Sequence, residues 1–224
     1  MRIRRKKHLG ERLEKVKDVL IIPKRDIVNV KLAVQDKRFY DFSKMFNNDN
    51  PIELEVGCGK GGFITQKAVK NPNVNFIAVE MLENIVVMAC ELAKKNDLQN
   101  IKFINTGAEY LPRYLKEKSI SNIYLNFSPP FPKVGSESKR LTSDNFVKSY
   151  KTFLIDGGKI FQKTDDREFF EYSYNKFIEH GFDVVDISNK IFNNEVENFE
   201  TEYEKMFKNK GLKIYGLIST LKQN

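Results

Sequence analysis

Tryptophan is absent from this chain, and cysteine and histidine occur only twice each. No apolar run approaches the roughly 18 residues that a membrane-spanning helix requires. Two cysteines, Cys58 and Cys90, cannot build a disulfide framework, and with only His8 and His180 no zinc-ligand cluster can assemble. The N-terminus reads MRIRRKKH with no apolar segment behind it, so a secretory signal is not expected. These absences point to a cytoplasmic, metal-free protein with no membrane partner. What is abundant is positive charge: 38 Lys and Arg stand against 30 Asp and Glu, a net +8 over 224 residues. It is concentrated at one end. Residues 1 to 25 hold ten basic and three acidic side chains, a net +7 that leaves +1 for the rest. Such an arm, led by Arg2, Arg4, Arg5, Lys6 and Lys7, suits a polyanion partner because each neutralised phosphate releases counterions; the same composition also fits a plain solvated tail.

A chain of this length is most simply one domain, and from Pro51 onward strand-length apolar runs alternate with helix-period segments. Strands are expected at 52–56, 75–80, 101–105, 122–127 and 159–164. Helices are expected at 63–70, 82–96, 108–115, 144–154 and 166–180. Gly157-Gly158 and Gly181 read as stops for the last two helices. FDVVDIS (182–188) and LKIYGLIST (212–220) suit an antiparallel terminal strand pair, with a helix near 201–210 between them. Residues 1–50 carry weaker patterns, including an amphipathic helix expected over 32–46. The expectation is therefore an α/β fold with a mostly parallel sheet, preceded by a basic arm and helical extension over 1–50.

The strongest local signal is ELEVGCGKGG (53–62), placed where a strand turns into a helix. Gly57, Gly59 and Gly61 let the backbone approach a ligand closely, and the helix start offers free N–H groups. With Gly62 the string also satisfies the dinucleotide fingerprint, so glycines alone do not choose the cofactor. Glu80, ending the next strand, suits ribose hydroxyls with either cofactor. Glu55 tilts the choice: a carboxylate there repels a pyrophosphate but suits the ammonium and sulfonium of S-adenosylmethionine.

The second signal is NFSPPFPK (126–133), directly after the fourth strand, where ligands of open parallel sheets sit. Read alone, SPPF looks like the tetrapeptide of enzymes that methylate exocyclic amines of adenine or cytosine. Beyond it, Lys133, Lys139 and Arg140 suit phosphate contact. KTDD (163–166) places carboxylates at the end of the fifth strand. TEYE (201–204) has capping-box spacing, with Glu202 or Glu204 able to accept N–H groups from a base.

Together LEVGCGKG, FIAVE, IYLNFSPPFPK, RLT, GGKIFQKTD and TEYEKMFKNKG, behind an M-R-x-R start, resemble the bacterial tRNA (guanine-N7-)-methyltransferase family, to about Tyr215. The resemblance implies a Rossmann-like class I methyltransferase fold with a seven-stranded, mostly parallel sheet and helices on both faces, here over 51–224. It implies methyl transfer from S-adenosylmethionine to N7 of a guanine in the tRNA variable loop. The cofactor would meet Glu55, Gly57, Gly59, Gly61, Glu80, Gly107, Ala108 and Asn126. The substrate would meet Lys133, Asp165, Thr201, Glu202, Tyr203 and Glu204, with RNA along Gly135, Lys139 and Arg140 and along the arm. The partner is tRNA, the state a monomer or homodimer.

Two positions depart from the family pattern. Pro129 stands where the family carries an Asp often called catalytic, with Phe131 in place of Trp, and Gly107 precedes Ala108 where an Asp is usual. Guanine N7 carries no proton, so attack needs no general base, and another carboxylate can stabilise the cationic product; Asp165 is the candidate. The competing readings are an amino-group methyltransferase, a non-catalytic RNA-binding module and, last, an NAD-dependent reductase.

Overall fold

The computed structural model describes residues 7–24, 26–27, 29–193 and 198–222. The chain divides into two compact units, Met1–Tyr114 and Leu115–Asn224.

The first unit runs α1 (Leu9–Glu14), β1 (Leu20–Ile21), α2 (Val30–Ala33), α3 (Phe42–Phe46), β2 (Ile52–Val56), α4 (Gly62–Lys70), β3 (Asn75–Val79), α5 (Glu83–Lys95), β4 (Ile101–Ile104), a 3-10 turn (Ala108–Tyr110) and α6 (Leu111–Tyr114). Its four strands are parallel in the order β1-β4-β3-β2. Every residue of β2 and β3 is buried, as expected for strands covered on both faces. Leu54, Phe76, Ile77, Ile101, Phe103 and Ile104 form the sheet's share of the core, met by Val86, Val87, Ala89 and Ala93 of α5. Each large apolar side chain taken fully from water contributes about 1.5–3 kcal/mol.

The N-terminal extension is fastened to this core. Arg12 grips Glu91 through two hydrogen bonds of 2.6 Å, Lys94 reaches Asp18 at 2.7 Å, and β1 pairs with β4. The helix expected over 32–46 is replaced by the short α2 and α3, capped by Asn29 and Asp41, with a non-helical stretch between them. Tertiary contacts explain the break. Arg38 and Tyr40 donate their backbone N–H groups to the carbonyls of Arg113 and Tyr114, and the almost fully buried Arg113 guanidinium binds Asp26 and Asp36. The arm residues Arg2, Arg4, Arg5 and Lys6 lie outside the described residues, and Lys7 is exposed.

The second unit runs β5 (Ile120–Asn126), a 3-10 turn (Glu137–Lys139), α7 (Asp144–Phe153), β6 (Leu154–Thr164), α8 (Arg167–Glu179), β7 (Phe182–Asp186), α9 (Ser188–Phe192), α10 (Glu202–Asn209) and β8 (Tyr215–Leu221). Its strand order is β5-β6-β8-β7. β5 and β6 are parallel, and β8 runs antiparallel to both β6 and β7, the terminal pairing anticipated from the sequence. All seven expected strands are present, and the two-residue β1 is an addition from the extension.

Gly157 and Gly158 do not stop a helix. α7 ends at Phe153, Leu154 is already extended, and both glycines lie inside β6. The register against β5 shifts there, Gly157 adopts φ 75°, and a Cβ on Gly158 would stand 2.9 Å from the Ser121 carbonyl oxygen. Glycine is needed for a bulge of this kind. Gly181, by contrast, ends α8 as expected, with φ 80° and its N–H on the Ile178 carbonyl.

Candidate active site

In the first unit, the expected cofactor residues collect at the carboxyl ends of β2, β3 and β4. Glu55 is almost wholly buried near the end of β2. The loop that follows is tied down by the Gly57 and Cys58 N–H groups, which both donate to the Val79 carbonyl, at 2.8 and 3.0 Å. Gly57, Gly59 and Gly61 have φ of 79°, 56° and 80°, the left-handed region that glycine adopts without penalty. Their surroundings differ. A Cβ on Gly61 would stand 2.7 Å from the Ala89 Cβ, so this glycine lets α4 pack on α5, whereas Cβ atoms on Gly57 or Gly59 would enter open space.

Glu80 follows β3, and its carboxylate accepts from Leu82 N–H at 2.9 Å and from Gly59 N–H at 3.3 Å. Burial outweighs these bonds and raises its pKa above the ordinary carboxyl value. The Cys58 thiol is pushed well up, first by burial and then by the negative charges of Glu55 and Glu80, which keeps it protonated and unreactive. After β4, the loop carries Gly107 and Ala108. The Glu109 carboxylate sits where a Gly107 Cβ would be, at 2.5 Å from its nearer oxygen, so no side chain fits at 107 without moving Glu109. Sequence reading missed Asn105. It is fully buried, donates Nδ2 to the Glu80 backbone carbonyl at 2.9 Å, and leaves Oδ1 without a partner among the described residues. Its one visible signal is a carboxamide ending an apolar strand.

In the second unit, the carboxyl ends of β5 and β6 bring together Asn126, the proline loop, KTDD and TEYE. Phe127 and Phe131 both adopt positive φ, 52° and 43°. Phe127 donates its N–H to the Lys163 carbonyl at 2.8 Å, and its ring stacks with Phe207 and Tyr203 at centroid distances of 5.7 and 6.3 Å. Ser128, marked in the sequence only as the first residue of SPPF, is buried with its hydroxyl unpartnered among the described residues.

Arg140 is not free for phosphate as expected. Its Nε donates to the Pro130 carbonyl at 2.8 Å, Nη2 reaches the Phe131 carbonyl at 3.4 Å, and the guanidinium lies 4.3 Å from the Tyr172 ring centroid. It clamps the proline loop from within the unit. Lys133, Gly135 and Lys139 remain exposed on that loop.

Glu204 requires a second correction. Its side chain is ion-paired with Lys163 at 2.7 Å, approached by Asn198 and by Lys208 at 3.1 Å, and fully buried, so it is engaged inside the unit and closed to a base. Burial pushes its carboxyl up, but Lys163, Asn198 and Lys208 outweigh that and hold it below the usual value. Thr201 is the N-cap of α10, its buried hydroxyl oxygen accepting from Glu204 N–H at 2.9 Å. Glu202 and Tyr203 are exposed. The two aspartates of KTDD also divide. Asp166 caps α8 by accepting from Phe169 N–H at 2.8 Å, while the half-buried Asp165 carboxylate has no partner among the described residues.

Residues 49–217 match a family model whose description reads "Putative methyltransferase". A tRNA (guanine-N(7)-)-methyltransferase of Geobacillus sp. is 41% identical over 78% of this chain and 80% of its own length. One from Bacillus subtilis is 38% identical over 84% and 89%, and one from Listeria monocytogenes is 35% identical over the full length of both. The chain belongs to the tRNA (guanine-N(7)-)-methyltransferase family. Among solved structures it is similar to the 16S rRNA methyltransferase KamB, with TM-score 0.61, 16% identity, and 84% of this chain and 96% of that one covered. An antibiotic-related methyltransferase gives TM-score 0.58 at 15% identity, with 84% and 98% covered. These two likenesses establish the class I methyltransferase fold, mostly parallel in its sheet. Within the family frame, the protein is a methyltransferase with Pro129 in the loop that follows β5.

Proposed function

We infer that the protein transfers the methyl group of S-adenosylmethionine to N7 of a guanine in the variable loop of tRNA, giving 7-methylguanosine. The observation that carries this reading is family identity extending over the whole chain, joined to a glycine loop beside the buried Glu55 carboxylate. Bound S-adenosylmethionine would supply a methyl made electrophilic by its sulfonium, which the N7 lone pair would take as the carbon–sulfur bond breaks and S-adenosylhomocysteine leaves. The chain's residues fit such a cofactor. Gly57 and Gly59 leave open the space that side chains would fill, Glu55 places negative charge beside cationic groups, and Glu80 offers acceptors to ribose hydroxyls. The orphaned Asn105 Oδ1 is a further acceptor in the same loop cluster. Gly61, Gly107 and Ala108 shape the loops, and Asn126 ends β5.

No residue needs to remove a proton from N7, so the loss of the family carboxylate at Pro129 does not remove an obligatory base. The task that remains is to hold the guanine and offset its growing positive charge. Asp165 suits this, because its neighbour Asp166 is occupied in capping α8 and Asp165 is not. Its carboxylate can accept from guanine N1–H and the exocyclic amine, with Lys133, Glu202 and Tyr203 as further substrate contacts.

Incubation of the protein with tRNA and cofactor, followed by mass analysis of nucleosides, tests the reading. A 7-methylguanosine signal that disappears when the variable-loop guanine is replaced is expected; N6-methyladenosine would instead favour an amino-group enzyme. Asp165→Asn should lower turnover, and unchanged binding and turnover would remove Asp165 from its role.

A further inference from the structure

A cleft of about 360 Å³ opens in the second unit, lined by Arg167, Phe170, Glu171, Asp186, Lys213 and Tyr215. None of these residues belongs to the site described above. Its aromatic wall is formed by Phe170 and Tyr215, whose rings lie 5.5 Å apart at 36°. The two carboxylates in the cleft are engaged: Glu171 accepts from Arg167 Nε at 2.8 Å, and Asp186 Oδ1 accepts from the Ser188 N–H and hydroxyl at 2.8 and 2.6 Å. The cations keep donors in reserve. Lys213 Nζ stands 5.3 Å from the Tyr215 ring centroid with no carboxylate or carbonyl partner among the described residues, and the terminal nitrogens of Arg167 likewise have none. An aromatic face flanked by unsatisfied cationic donors is what a single nucleotide requires, base on the ring and phosphate on the cations.

The position of the cleft supplies the second half of the inference. Tyr215 is the register partner of Thr164 at the end of β6, and Arg167 lies two residues beyond Asp165. Neighbouring strands are about 4.8 Å apart, so the aromatic wall begins one strand over from the carboxylate assigned to the guanine. We propose that this cleft is an RNA subsite holding a nucleotide adjacent to the methylated guanine, its base against Tyr215 and its phosphate between Arg167 and Lys213. The proposal rests on the functional reading above.

The test uses the full-length chain with Lys213→Gln, Arg167→Gln and Tyr215→Leu, and Tyr215→Phe as the conservative control. Loss of the phosphate contact should lower the slope of log K for tRNA against log salt by about 0.7, the single-strand value. Loss of a stacked base should weaken tRNA binding about 5- to 150-fold in Tyr215→Leu, while Tyr215→Phe keeps the ring and the affinity. KM for tRNA should rise with kcat at saturating tRNA and cofactor affinity unchanged. Identical salt slopes and KM values in all the variants would overturn the proposal. Inhibition by free GMP that is relieved in Lys213→Gln yet does not compete with tRNA would assign the cleft to a free nucleotide and also overturn it. Arg167 and Lys213 are both exposed, so their variants decide the matter if Tyr215→Leu fails to fold. Should the wild type bind tRNA but form no 7-methylguanosine, the functional reading fails, and the salt slope of binding still decides for or against the cleft.

Discussion

Lys163→Met would remove one partner of a buried ion pair and strand the other. Lys163 Nζ donates to Glu204 Oε2 at 2.7 Å, Asn198 Oδ1 at 2.9 Å and the Phe199 carbonyl at 3.1 Å. Its own carbonyl accepts from Phe127 N–H, and the Phe127 ring stacks with Tyr203 and Phe207 of α10. One residue at the end of β6 therefore ties α10 and the proline loop to the same point. Removing one member of a buried pair costs about 3–5 kcal/mol, because the remaining charge stays desolvated. That is a large part of a typical total of about 5–15 kcal/mol, and it is concentrated on the eight residues of α10. The segment should open before the whole unit unfolds. Amide hydrogen exchange over 201–209 should accelerate by about 10² to 10⁴. tRNA methylation should fall while cofactor affinity holds.

A compensating change and the pH profile sharpen the test. Replacing Glu204 as well, in Lys163→Met/Glu204→Leu, removes the stranded charge and should recover most of the protection. In the wild type, the folded carboxyl of Glu204 lies below its unfolded value of about 4.3. Its contribution is thus fully present above that value and is lost as pH falls through the lower folded one. Protection of α10 should decline on acidification in the wild type. In Lys163→Met burial gains weight over the remaining partners, the carboxyl shifts upward, and the acid decline should flatten. Unchanged exchange in the single variant, or a double variant as exposed as the single, would refute the reasoning.

The two kinds of glycine in the loop after β2 should separate in a pair of variants. Gly61→Ala combines a positive φ with a 2.7 Å approach to Ala89 and should lower stability by about 2–4 kcal/mol in urea denaturation. Gly57→Ala meets open space, so it should carry only the left-handed cost of about 1–2 kcal/mol, with the larger effect on cofactor Kd by calorimetry. Equal stability losses would contradict the packing argument. Deleting residues 2–7 removes five of the ten cations counted in the arm and should flatten the salt dependence of tRNA binding without altering cofactor affinity. An unaltered slope would reduce the arm to a solvated tail.

Strand β3 was legible because a parallel strand buried on both faces reads as a nearly continuous apolar run, β2 because Ile52, Leu54 and Val56 alternate at strand spacing, and the glycine loop because its chemistry is local. Several of the failures share one physical origin: a partner beyond the reach of local spacing. The 32–46 helix is broken by Arg113, whose buried charge draws Asp36 at a separation of 77 residues. Thr201 and Glu204 do have the spacing of a capping box, and Thr201 does cap α10, but the Glu204 carboxylate is taken by Lys163, 41 residues upstream. Arg140 is drawn to the carbonyls of Pro130 and Phe131 instead of facing a ligand. Spacing shows which backbone N–H a side chain can reach; it cannot show which charge will reach the side chain.

The same logic thins the acidic edge to what the chemistry can use. KTDD and TEYE each offer two carboxylates, and in each pair one is structural: Asp166 holds the start of α8, and Glu204 anchors α10. Asp165 and Glu202 remain as candidates for a guanine. A cationic product needs charge that is near it and not already neutralised, and Glu204 is neutralised by Lys163 at 2.7 Å. Asp165 is half-buried, where a carboxylate acts through a lower effective dielectric than one in bulk water, whereas Glu202 is exposed. If Asp165 holds the guanine as proposed, Asp165→Asn should therefore affect turnover more than Glu202→Gln.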